Sequence, residues 1–131
     1  MSIETTRDTV MRYLNSEHGD LSMLAPDVVF TIMATGDEHR TPQGVQGMLD
    51  YFYHVAFDAV AKPRTMLFGE DNALLEAEFV GKHVGEFGGI PATSREVRVP
   101  IAIVYDVAGD QITHARVYFE MPALMRQLGV T

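Results

Sequence analysis

Apolar positions recur at helical spacing in the first part of the chain and alternate in the second. Over residues 3–18, Val10, Tyr13 and Leu14 fall near one stripe with charged residues opposite, which predicts an amphipathic helix. Gly19 ends it, Asp20 caps a short turn over 21–24, and Pro26 stops that turn. Residues 27–35 (DVVFTIMAT) are rich in β-branched side chains and predict a strand; after Gly36-Asp37 the chain returns briefly at His39-Arg40. Thr41-Pro42 reads as a helix start, and the predicted helix 42–59 turns Val45, Met48, Leu49, Phe52 and Ala56 inward. After Lys62-Pro63 the period becomes two. Residues 64–69, 73–85, 96–107 and 111–121 read as strands, separated by Asp71-Asn72, Gly88-Gly89 and Gly109-Asp110, and such a run pairs as an antiparallel meander. Helices first and strands after is the order of an α+β fold. The expectation is one domain over 1–131, a cone of helices packed on a curved, mainly antiparallel β-sheet.

Two of these strands carry more than a secondary-structure signal. In 96–107, the run from Ile101 to Val104 is apolar at both parities, so both faces of the sheet should be covered there. The few helices cover one face, and a second copy of the chain, in a homodimer, is expected on the other. Pro100 removes a ladder donor and predicts a bulge or bend nearby. In 111–121, strict alternation puts Ile112, His114, Arg116, Tyr118 and Glu120 on one face and Thr113, Ala115, Val117, Phe119 and Met121 on the other. A base, a guanidinium, a phenol and a carboxylate in a row make either a solvated face or one wall of a polar-lined pocket. A short helical tail follows.

Composition narrows the partners. The chain has 131 residues and a formal net charge of −8, which opposes nucleic acid in the absence of a basic cluster. No apolar run is long enough for a membrane span, the first residues are polar and unlike a signal peptide, and cysteine is absent, so a soluble cytoplasmic protein is expected. His18, Asp20 and His39 lack a metal-ligand spacing, and Gly85, Gly88 and Gly89 do not open a helix as a nucleotide loop would, so neither metal nor nucleotide is assigned.

The segment His83-Val84-Gly85-Glu86-Phe87-Gly88-Gly89-Ile90-Pro91-Ala92-Thr93-Ser94-Arg95 resembles the H-x-G-x-F-x-G-I-P-P-T-G-R stretch of the SnoaL-like polyketide cyclases, or ester cyclases. The tail from Phe119-Glu120 through Gln127-Leu128-Gly129 is similar to that family's acidic residue followed by L-L-x-Q-L-G. Ala92 and Ser94 depart from the family's Pro and Gly, and Glu120 stands where characterised cyclases carry an Asp acid/base. The resemblance implies a cystatin-like α+β cone of the nuclear transport factor 2-like superfamily, often a homodimer. It also implies a cofactor-free aldol cyclisation or isomerisation of a hydrophobic carbonyl compound. Such a step needs a base for the proton α to the carbonyl and a donor for the enolate oxygen. Glu120 is the expected base, with His114, Arg116 and Tyr118 beside it. His83, Phe87, Phe52 and Tyr13 are expected around the ligand. The alternatives are a non-catalytic dimeric protein holding an apolar small molecule, or an epoxide hydrolase or ketosteroid isomerase-like enzyme.

Overall fold

The computed structural model describes residues 2–130. Helix α1 spans Ile3–Asn15; the Ser2 hydroxyl accepts from the Thr5 amide at 3.0 Å, and the helix buries Thr6, Thr9, Val10 and Tyr13. Thr6 Oγ1 donates to the Glu70 carbonyl at 2.6 Å, tying α1 to a distant turn. A single 3₁₀ turn, Leu21–Met23, precedes β1, Leu24–Ile32. Pro26 therefore lies inside a strand and does not precede one. It costs no ladder bond, because the register of β1 breaks between Leu24 and Val29.

After β2, Asp37–Arg40, helix α2 runs Thr41–Asp50 and ends in one π-helical turn, Tyr51–Val55. The next strand, β3, is Phe57–Phe68 and starts seven positions before the expected 64. The period of two begins at Phe57, where Phe57 and Ala59 are buried while Asp58 and Val60 are exposed. Pro63 sits within it at a register shift, and β3 pairs with β4 alone, so an edge strand absorbs the missing donor. Strands β4 (Asn72–His83), β5 (Glu96–Ala108) and β6 (Gln111–Phe119) lie within about two residues of the expected bounds, and helix α3 (Met121–Gln127) takes Met121 from the end of the expected last strand.

The six strands form one sheet in the order β2-β1-β6-β5-β4-β3, antiparallel throughout except for the parallel pair β1–β6. With three helices packed on it, this is the expected α+β architecture. The core joins Val10 and Tyr13 of α1, Val45 and Met48 of α2 and Leu124 of α3 to Phe30, Phe57, Phe79, Ile101, Ile103, Tyr105 and Ile112 of the sheet. Full burial of each large apolar side chain contributes about 1.5–3 kcal/mol. β5 shows no register shift at Pro100, contrary to expectation. The pairing of β5 with β6 runs out at Ile101–Phe119, so the proline sits just past its neighbour's end. Ala102 and Val104 are half-buried, so within one chain only Ile101 and Ile103 of this run are covered. Among the described residues no helix is long and apolar enough to cross a membrane.

Candidate functional site

The face expected to carry the catalytic groups is the outer one. Across the β5–β6 pair, Val107 faces Ile112 and Asp106 faces His114, which leaves Thr113 as an extra residue in β6. A bulge of one residue resets the period of a strand. Ile112 is buried, and beyond the bulge Ala115, Val117 and Phe119 take the inner side, while His114, Arg116 and Tyr118 turn outward. Glu120 is exposed at the start of α3, in a shallow groove with Met33, Glu76, Pro100 and Tyr118, while Phe119 and Met121 line the interior. The assignment of Glu120, His114, Arg116 and Tyr118 to an inner wall is therefore corrected. On the outer face Arg116 donates to both Asp106 oxygens, at 2.7 and 3.4 Å, and this bond raises its already high pKa. His114 Nε2 is 3.1 Å from Thr31 Oγ1. With about a third of each side chain exposed, the Arg116–Asp106 pair is a partly screened surface ion pair.

Inside, a chamber of about 40 Å³ lies between the sheet and α2. Phe52, Phe79, Phe119 and Tyr105 form its aromatic walls, and Met48 and Met121 its pliable ones. Phe79 anchors the packing, with ring centroids 5.2 Å from Tyr53, 5.3 Å from Phe57 and 5.5 Å from Phe119. An outer cavity of about 290 Å³ shares His18, Leu49 and Tyr53 with the chamber and adds Glu17, Gln46, Asp50 and His54.

His18 occupies the junction. It reaches it because α1 closes in a left-handed turn, with φ of 56° at Glu17 and 63° at His18, and the His18 amide donates to the Tyr13 carbonyl at 3.2 Å. Two left-handed non-glycine residues carry strain of roughly 1 kcal/mol each or more, tolerated where the surroundings hold them. The imidazole meets Tyr13 edge-on at 5.2 Å and stacks on Tyr53 at 5.9 Å. Burial lowers its pKa below the ordinary histidine value, with Glu17 pulling weakly the other way, so the ring is neutral at pH 7. The phenols around it are held protonated. Burial pushes Tyr53 up to about 12, and burial followed by repulsion from neighbouring tyrosines drives Tyr13 and Tyr105 upward as well. Tyr13 is fully buried and its hydroxyl has no partner among the described residues.

Of the four expected ligand contacts, only Phe52 lines the chamber. Phe87 packs behind it at 5.7 Å, and Tyr13 lies behind His18. His83 is not at a pocket mouth. It is fully buried beside Phe57, and its Nδ1 accepts from the Thr93 amide at 3.1 Å, which anchors the 84–95 loop. The residues missed were His18, Tyr53 and Tyr105. Tyr105 was legible, since it shares parity with Ile101 and Ile103 on β5, whereas the placing of His18 depends on the left-handed turn, which no residue type there announces. Among the described residues no group of three His, Asp or Glu is arranged to hold a metal.

The family model described as SnoaL-like polyketide cyclase matches residues 13–128. No curated protein matches the chain. Among solved structures, a protein of Jannaschia sp. CCS1 named as a SnoaL-like polyketide cyclase superposes with a TM-score of 0.86 at 16% identity, covering 98% of this chain and 94% of that one. IdmH of Streptomyces antibioticus, named as a polyketide cyclase, gives 0.74 at 23% identity over 99% and 100% of the two chains. A ketosteroid isomerase-like fold protein from Catenulispora acidiphila, solved with trimethylamine, gives 0.77 at 17% over 96% and 95%. At these identities the likeness establishes the fold.

Proposed function

Because the chain belongs to the SnoaL-like polyketide cyclase family, we propose that it performs acid–base chemistry, an aldol cyclisation or isomerisation, on a hydrophobic carbonyl compound held in the chamber, with His18 rather than Glu120 as the proton-transfer group. The observation that carries this reading is the position of the His18 imidazole at the junction of the two cavities, stacked on Tyr53 and edge-on to Tyr13. Neutral His18 takes the proton from the carbon α to the carbonyl. The O–H of Tyr53 or Tyr105 donates to the oxygen as it gains charge, and the carbanion attacks a second carbonyl of the same molecule. The imidazolium then returns its proton to the new alkoxide, so nothing is consumed. Desolvation, which disfavours imidazolium, favours that return. A volume of about 40 Å³ holds roughly one water, so substrate entry requires Met48 and Met121 to swing aside.

A binding protein without catalysis is the second reading, favoured by the lack of any Asp or Glu among the described residues lining the inner chamber. Epoxide hydrolysis is supported less, because the Asp106–Arg116 pair it would use lies on the outer face. We propose a homodimer through that outer face, where Met33, Leu67 and Tyr118 are exposed; sedimentation showing a monomer at micromolar concentration would count against it.

Deuterium uptake at the α-carbon of 2-tetralone in D₂O, followed by NMR, tests the chemistry without the natural substrate. His18→Gln should slow protein-catalysed exchange by about 10²–10⁴-fold, the usual worth of a general base, while Glu120→Gln should leave it intact. The reverse pattern would restore Glu120. Binding of 2-tetralone with no exchange above background would leave the binding-protein reading.

A further inference from the structure

The outer cavity of about 290 Å³ is chemically one-sided. Its polar lining is Glu17, Gln46, Asp50 and His54, with His18 and Tyr53 at the inner edge, and among the described residues neither Lys nor Arg contributes. Gln46 is oriented by its own helix, since its Nε2 donates to Asp50 Oδ1 at 2.9 Å. Turning the amide over would set two oxygens against each other, so the bond fixes which end is which. The end left over is the carbonyl oxygen. Oε1 of Gln46 is shut off from solvent and has no partner among the described residues. A buried acceptor without a donor is unfavourable until something supplies one. The carboxylates of Asp50, half-buried and one turn further along α2, and of the exposed Glu17 offer only further acceptors. A carboxylate or phosphate on the ligand would meet like charge here, within a chain whose formal net charge is already −8.

Resting on the reading of the cone as a ligand site, we propose that its ligand carries a protonated amine at the outer end, read by Gln46 and Asp50. The ammonium donates to the Asp50 carboxylate, and a rotation of the Gln46 side chain brings its closed-off Oε1 round to accept from the same group. The apolar body passes Leu49 and Tyr53 toward the chamber. Charge and hydrogen bonding thereby select one orientation, the one that brings the carbonyl end past His18.

Three probes with the same naphthalene body separate the possibilities: 1-naphthylmethylammonium, 1-naphthalenemethanol and 1-naphthylacetate, each titrated into the intact protein by calorimetry at pH 7.5 and low salt. The ammonium should bind at least about tenfold more tightly than the acetate, a difference of about 1.4 kcal/mol. Asp50→Asn and Gln46→Leu, each checked for native thermal unfolding, should shrink that gap to about threefold or less. A gap that persists in both folded variants overturns the assignment of these residues. Equal binding of the alcohol and the ammonium means that the wall reads donors and not charge, which overturns the amine. If all three probes bind alike, the amine inference fails and the cone stands. If none binds, the ligand-site reading fails and takes the amine inference with it.

Discussion

Phe79→Ala is the sharpest test of a closed apolar chamber. The ring is 1% exposed, packs within 5.5 Å of three other aromatic rings, and forms part of the chamber wall. Its loss would free roughly 100 Å³, and at about 24 cal/mol per Å³ the void alone destabilises by roughly 2.4 kcal/mol. The lost transfer free energy brings the total to about 3–5 kcal/mol. With an unfolding entropy of about 2.1 cal/mol/K per residue, a chain of 131 residues should lose roughly 11–18 °C in Tm, measured by circular dichroism. The new volume adds to the existing 40 Å³, and the combined apolar space approaches the size of an engineered cavity that stays dry and binds benzene. Benzene at saturation should therefore recover part of the lost Tm in the variant and leave the wild type unmoved. A folded variant that loses under about 1 kcal/mol, or one that benzene does not stabilise, would refute the premise that Phe79 closes a dry space.

Three further outcomes follow from other parts of the structure. Because burial lowers the pKa of His18 in the folded state, the unfolded chain takes up that proton first. Stability should therefore fall as pH drops below about 6.5, toward the folded pKa, and His18→Gln should flatten that part of the urea-midpoint profile; identical profiles would mean that the ring is solvated. His83→Ala removes the acceptor of the Thr93 amide, so hydrogen exchange at Thr93 should quicken while β5 amides stay protected, with a loss of about 2–4 kcal/mol in global stability. Asp106→Asn should lower stability by no more than about 1 kcal/mol, since both members of its pair with Arg116 are partly exposed; a larger loss by chemical denaturation would show a tighter coupling than the geometry implies.

The fold was legible because its two periods are clean. β4, β5 and β6 fall within a few residues of where alternation puts them, with the 84–95 loop that carries Gly88-Gly89 between the first two and Gly109-Asp110 between the last two. The misplaced boundaries share a cause. Proline is read as punctuation, yet Pro26 lies in a register break and Pro63 in an edge strand, places where no ladder donor is required. The long helix expected over 42–59 is shorter because Tyr51–Val55 takes a π turn, and from Phe57 onward the alternation of burial shows a strand that the overlapping helical period had masked.

The site was less legible because a single residue decides it. Under strict alternation the final strand mixes Ile112 with His114, Arg116 and Glu120 on one face, and a mixed face of that kind reads as a polar-lined pocket. Inserting one unpaired residue at Thr113 sorts the same letters into two consistent sets: Ile112, Ala115, Val117 and Phe119 inward, and His114, Arg116 and Tyr118 outward. The lone apolar residue among polar ones was thus the sign of a bulge, since a shift of one position exchanges every side chain between faces. No comparable sign exists for His18. It meets Tyr53 through a left-handed turn at the end of α1, and the wall it shares with Tyr105 joins segments from opposite parts of the chain. Spacing along a strand or helix reports neighbours within that element, so a site assembled at the junction of a helix end, α2 and β5 becomes visible only when the three are packed together.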